Sequence, residues 1–181
     1  MEGVNDPRNW RRKAADCVVK EAEDDAKVEA DHQGRPLNDK TKVPPPDGSL
    51  TAGTLVRFAD GSARAVETLA PGDALWTPAG EARLLRVDLC RHDLVALDME
   101  GTTLVIIASY HRLMNACGEW RRADEHAVGD RLSTRLGPRV VPGRRMLAAE
   151  VTHRLGFQTA TVCAVGDDGV WARCQRPDRT R

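Results

Sequence analysis

From residue 49 onward, apolar positions recur in short runs and not in helical stripes. "TLVRFA", "ARAVETL", "DALWT", "ARLLRVDLC", "LVALDM", "TTLVIIAS", "RLMNA" and "EWRRA" are rich in branched or alternating apolar residues. That is the pattern of strands with one buried face. Turn-forming pairs punctuate them: Asp60-Gly61, Pro71-Gly72, Ala79-Gly80, Glu100-Gly101, Cys117-Gly118 and Asp168-Gly169. Short strands at roughly 8–12-residue spacing predict an all-β sandwich or barrel-like body. Between 136 and 160 the pattern fades, and Pro138, Pro142-Gly143 and an arginine pair predict a loop before the final strands.

Residues 1–48 have a different texture. Asp6-Pro7 is an N-cap followed by a proline at the first helical position, and Trp10, Ala14, Cys17, Val18 and Ala22 fall at helical spacings. One highly charged amphipathic helix is expected over about 7–30. "DHQGRPLNDKTKVPPPDG" carries almost no apolar residues and reads as a disordered linker, extended at its prolines. The expected organisation is a helix and linker over 1–48, a folded domain over 49–175 and a basic tail over 176–181.

Composition narrows the function classes. Lysine plus arginine and aspartate plus glutamate number 27 each, so no global field draws the chain to nucleic acid or to an acidic membrane. The opening residues lack the apolar run of a signal peptide, and no stretch approaches the ~18–20 apolar residues of a bilayer span. The expectation is a soluble chain, cytoplasmic by default. Cys17, Cys90, Cys117, Cys163 and Cys174 form no C-x-x-C pair and have no histidine at zinc-finger spacing. They read as free thiols, small core or surface residues, and no metal or cofactor is expected.

One internal echo stands out. "TLAPGDALW" (68–76) and "EHAVGDRLS" (125–133) each carry Gly-Asp followed two residues later by leucine. Gly72-Asp73 and Gly129-Asp130 are expected to make tight turns into strands, the glycine for its backbone freedom and the aspartate to bond neighbouring amides. The pair suggests a duplicated β unit with a pseudo-two-fold axis.

In order, the chain shows Ser49, Leu50, Gly53-Thr54, Val56, Ala59-Asp60-Gly61-Ser62, Leu69 and Gly72-Asp73, then His111, Trp120, Ala123, Gly129-Asp130 and Leu132. This order resembles the Hint domain, the module shared by hedgehog C-terminal regions and inteins, over residues 49–133. The resemblance implies a flat, disk-like all-β fold of two related halves. It also implies self-cleavage of the bond before the first domain residue, with Gly48 on the acyl side, Ser49 as nucleophile and His111 as proton donor to the leaving nitrogen. The substrate would be the chain's own N-terminal segment, and water or another small nucleophile would resolve the ester.

The chemistry makes demands that these residues meet in part. A hydroxyl attacking the preceding carbonyl needs a distorted peptide, an oxyanion stabiliser and a proton relay. Gly48 tolerates unusual dihedrals, and imidazole titrates near neutrality. Serine is a weaker nucleophile than the cysteine usual in the family. The threonine of the family's T-x-x-H is replaced by Ala108, or by Ile107 if Tyr110 is an insertion, and Ser109 partly substitutes for its hydroxyl. Inteins end in His-Asn before a nucleophile. Here Ala172-Arg173-Cys174 retains only the cysteine, so full splicing is not expected, and neither is cholesterol transfer. Ordinary roles stand beside these: Ser49 as a turn or strand-start residue, and His111 as a strand histidine. Trp76, Trp120 and Trp171 are expected as core anchors, and His92 and His126 as solvent-facing, although the family prefers leucine at the latter position. Two functions remain open on the sequence, an autoprocessing module and a non-catalytic Hint fold kept for binding or structure. An unrelated β domain is the third reading.

Overall fold

The computed structural model describes residues 48–101, 104–159 and 161–174. The helix expected over 7–30, the linker, Cys17 and the tail lie outside the described residues.

The described chain is nearly all β. Its strands are β1 (Ser49–Thr51), β2 (Leu55–Arg57), β3 (Ala63–Ala65), β4 (Ala74–Thr77), β5 (Gly80–Asp98), β6 (Leu104–Ala108), β7 (Arg112–Met114), β8 (Trp120–Arg122), β9 (Arg131–Leu132), β10 (Arg139–Val140), β11 (Gly143–Phe157), β12 (Thr161–Val165) and β13 (Val170–Cys174). Single 3-10 turns at Val66–Thr68 and Ala123–Glu125 are the only helical elements among the described residues. One sheet runs β11-β1-β6-β5-β4 and is closed by a direct β11–β5 pairing; a second runs β3-β2-β12-β13-β7-β8; β9 and β10 form a ribbon.

Two expectations need correction. "ARLLRVDLC" and "LVALDM" are not separate strands but one, β5, which continues for 19 residues. The loop expected between 136 and 160 is largely β11, a strand of 15 residues. These two strands pair antiparallel from Gly143↔Asp98 to Phe157↔Leu84 with two register shifts. Much of β11 is exposed, so its side chains carry no apolar alternation that would betray a strand.

The duplication is real, and it extends well beyond the two Gly-Asp pairs. In the first half, the Gly72 amide donates to the Leu84 carbonyl (2.7 Å), Leu84 to Asp73 (2.9 Å) and Val66 to Thr54 (2.9 Å). In the second half, Gly129 donates to Val141 (2.9 Å), Val141 to Asp130 (2.9 Å) and Ala123 to His111 (2.7 Å). Each counterpart lies 57 positions on, which is 129 less 72. Phe58–Ser62 and Asn115–Glu119 follow the same offset. The aspartates behave as expected: Asp73 Oδ2 accepts from the Ala70 amide and Asp130 Oδ2 from the Ala127 amide, each at 2.9 Å. Gly72 and Gly129 sit at φ 98° and 94°, where a Cβ is disfavoured.

The core fills the space between the halves with Leu50, Val56, Leu75, Leu84, Val95, Leu97, Ile107, Leu113, Leu132 and Phe157, all buried. Beside it Trp171, fully buried, stacks on Trp76 with ring centroids 5.4 Å apart. Half-buried Trp120 joins the same cluster. Leu75 and Leu132 are counterparts in the repeat, so the duplicated pattern builds the core twice.

Candidate functional site

Strand β1 is short and hemmed in on both edges. Ser49, Leu50 and Thr51 pair with Arg154, His153 and Thr152 of β11, and Leu50 also pairs with Ile107 of β6. Burial follows from this position: Gly48, Ser49 and Leu50 are all buried. Gly48 has φ 98°, a conformation open to glycine and strained for other residues. The Ser49 hydroxyl is buried and makes no hydrogen bond among the described residues. Such an orphan costs about 1–3 kcal/mol, so it marks a place where stability is not what has been optimised.

His111 comes to Ser49 from the other half of the chain. After β6 the backbone turns tightly, with the His111 amide donating to the Ala108 carbonyl at 2.9 Å. The ring is fully buried, and Nδ1 lies 3.1 Å from the main-chain carbonyl oxygen of Ser49. The Arg173 carbonyl also faces the ring and favours its protonated form, though Nε2 completes no well-formed hydrogen bond. Burial dominates and pushes the imidazole down to about 4, with the carbonyls of Ser49 and Arg173 offsetting only part of that. At neutral pH the ring is therefore uncharged. A neutral imidazole has one N–H, so it can donate to one carbonyl while turning a lone pair on the other. An imidazolium would satisfy both.

The other predicted residues are placed as follows. Ser109, buried, lies in the turn between β6 and His111; its amide donates to Asp93 and its carbonyl accepts from Asp124, each at 2.9 Å. Among the described residues its hydroxyl makes no hydrogen bond to Ser49 or His111. Ala108 is fully buried at the end of β6, so no hydroxyl stands at that position. Gly72, Asp73, Gly129 and Asp130 shape their turns, and none of their hydrogen bonds among the described residues is to Ser49 or His111. Cys174 is buried in β13.

His126 overturns an expectation. It is fully buried, because the repeat sets it 57 positions after Leu69, itself a core residue. Its pKa is lowered, chiefly by burial. His92 is half-buried and packs edge-on against Tyr110, with ring centroids 4.8 Å apart.

Sequence reasoning missed three contributors. Arg173 contributes its carbonyl, for which side-chain identity is no signal. Arg154 stands opposite Ser49 and holds Asp88 on the next strand, Nη2 to Oδ2 at 3.0 Å, inside a segment expected to be a loop. Thr51, whose hydroxyl donates to the Ile106 carbonyl at 2.9 Å, ties β1 to β6.

Comparison by sequence finds no match among family models or curated proteins. Comparison by structure does. A bacterial intein-like domain from Clostridium thermocellum superimposes with a TM-score of 0.61 at 20% identity, covering 70% of this chain and 98% of that one. The fold is that of inteins. The gp41-1 intein gives 0.60 at 13% identity, over 69% of this chain and 97% of its own. A DnaB intein from Synechocystis sp. PCC 6803 gives 0.58 at 14% identity, over 71% and 100%. The intein fold thus accounts for the described strands and their duplicated halves, as the Hint resemblance implied. Among the described residues, no helix is long and apolar enough to cross a membrane.

Proposed function

We propose that the chain is a self-processing domain that cuts its own backbone between Gly48 and Ser49. The observation that carries this reading is the buried Ser49 hydroxyl, unpartnered among the described residues, beside a glycine at φ 98°. The intein fold and the position of His111 on the main chain of Ser49 support it.

Ser49 Oγ attacks the Gly48 carbonyl carbon, and its proton passes to the neutral His111. The resulting imidazolium donates to both facing carbonyls, so these groups favour the charged ring of the transition state over the resting ring. The C–N bond then breaks as His111 returns the proton to the Ser49 nitrogen. Gly48 is left in ester linkage to Oγ, with a free amine on Ser49. Water attacks that ester carbonyl, the C–O bond breaks, and Ser49 regains its hydroxyl. The products are residues 1–48 with a free carboxylate and a chain beginning at Ser49. The sequence lacks the His-Asn of inteins before Cys174, so this reading stops at cleavage and excludes splicing.

Ala108 in place of the family's threonine favours a second reading, in which the fold persists as a non-catalytic binding or structural domain. Intact mass of the full chain, with and without hydroxylamine, separates the two. Cleavage after Gly48, a hydroxamate on that residue in hydroxylamine, and loss of both in Ser49→Ala support self-processing. A chain that stays whole under every condition assigns the second reading.

A further inference from the structure

Cys163 and Cys174 occupy adjoining strands at the centre of the six-stranded sheet. The β12–β13 register pairs Cys163 with Ala172 and Cys174 with Thr161, which makes the two cysteines diagonal neighbours. Their sulfurs are 3.2 Å apart, and both residues are buried. Cys90 and Cys117 make no comparable contact among the described residues. The thiol of Cys163 is pushed well up, first by its hydrogen bond with Cys174 and then by burial.

From this geometry we infer that Cys163 and Cys174 are a disulfide site, closed when the chain folds in the presence of a small-molecule disulfide and open as a thiol pair otherwise. Closing the bond requires the sulfurs to approach by roughly 1 Å, to about 2.05 Å, between side chains already directed at one another. One cysteine thiolate attacks the small disulfide and expels one thiol. The other cysteine then attacks the resulting mixed disulfide and expels the second. Two cysteine thiols are oxidised, one small disulfide is reduced to two thiols, and both protons leave with them.

Burial sets the timing. A pair sealed in the core admits neither the attacking disulfide nor the bulky mixed intermediate, so exchange is fast only while β12 and β13 are still open. The pair therefore records the redox conditions of folding and does not track later changes. Cys174 adjoins Arg173, whose carbonyl faces His111. The strand that backs the candidate site is thus the one tethered. The inference stands independently of whether the chain cleaves itself.

The full chain carrying Cys17→Ser, Cys90→Ser and Cys117→Ser leaves only this pair. Refolded with glutathione disulfide, then denatured and treated with N-ethylmaleimide, it is expected to take up no maleimide and to weigh about 2 Da less than the reduced form. Peptide mapping of the unmodified chain refolded in the same way should find 163 joined to 174. The closed form should melt roughly 5–10 °C above the reduced form, and dithiothreitol applied under denaturing conditions should remove the difference. Two maleimides on the refolded chain, two glutathione adducts, or a cross-linked form that melts lower than the reduced one would overturn the inference.

Discussion

The Nδ1 atom of His111 lies 3.1 Å from the carbonyl oxygen of Ser49, linking residues 62 positions apart in a fully buried setting. The same ring faces the Arg173 carbonyl and is held neutral by burial. Three separate segments of chain therefore meet at one imidazole that cannot satisfy both oxygens without a proton. Ser49 contributes the only hydroxyl of that trio, and the hydroxyl itself is unpartnered among the described residues. Under the self-processing reading, replacing His111 by alanine should slow appearance of the cleaved chain by about 100-fold or more, whereas Ser49→Ala should abolish it. Time-resolved intact mass provides both numbers. Equal rates in wild type and His111→Ala would remove His111 from the chemistry.

The nucleophile and the missing threonine give the next expectation. A thiol ionises far more readily than a hydroxyl, so Ser49→Cys should accelerate the acyl shift and make the intermediate a thioester sensitive to dithiothreitol. Ala108→Thr should add to it, since Ala108 ends the strand that leads into the His111 turn. If the wild type does not cut and the double variant does, the natural chain has a decayed site in an intact scaffold. No cutting in either would leave the scaffold alone.

The buried ring also makes stability depend on pH. An unfolded histidine titrates near 6.5, whereas folded His111 does so at about 4. As pH falls from 6.5 to 4, the unfolded chain takes up a proton that the folded chain excludes, so stability is lost in that window and is fully present above it. The contribution amounts to at most about 3 kcal/mol by pH 4. His111→Asn lacks this term, so its urea-unfolding free energy should fall less than that of wild type between pH 7 and 4. Parallel curves for the two proteins would show that the ring titrates normally.

Short strands such as β2, β4 and β6 were legible because each alternates or is uniformly apolar over a few residues. Ser49 and His111 were legible through spacing between anchors, not through any local property of serine or histidine. The long β5–β11 ribbon was not, because the first two-thirds of β11 is largely exposed and strand identity there resides in backbone pairing with residues over 40 positions away. His126 was misread for a related reason. A polar residue in a charged stretch suggests solvent, and only the 57-position correspondence with Leu69 reveals that its backbone aims it inward. Main-chain groups such as the Arg173 carbonyl leave no trace in a sequence at all.

His126 accordingly yields its own expectation. Its ring faces the carbonyls of Leu113 and Arg121, yet neither ring nitrogen makes a well-formed hydrogen bond. Asp130 Oδ2 stands 3.9 Å away, too far for a hydrogen bond. Leucine, the residue at the matching position 69, should remove the desolvation cost and raise stability by about 1 kcal/mol at pH 7. Its advantage should widen on acidification, because burial lowers the His126 pKa and only the wild type carries that additional loss of stability as pH drops below 6.5, the His111 loss being common to both. Melting curves of His126→Leu at pH 7 and 5.5 test both parts. A destabilised variant at pH 7 would mean that the facing carbonyls bind the ring more strongly than burial opposes it.

The duplicated turns can be tested by a matched pair of substitutions. At Gly72 and Gly129, φ is 98° and 94°, and an added Cβ would meet nothing within 4 Å at either position. Replacement by alanine therefore costs only backbone strain, with no steric clash, and the strain is set by nearly the same dihedral in both halves. Gly72→Ala and Gly129→Ala should each lower the unfolding free energy by about 1–2 kcal/mol, with values agreeing within about 0.5 kcal/mol. Since the two turns share no hydrogen-bond partner among the described residues, the double variant should lose the sum of the single losses. Unequal single losses would mean that the two halves, alike in hydrogen bonding, differ in how their turns are held by the surrounding strands.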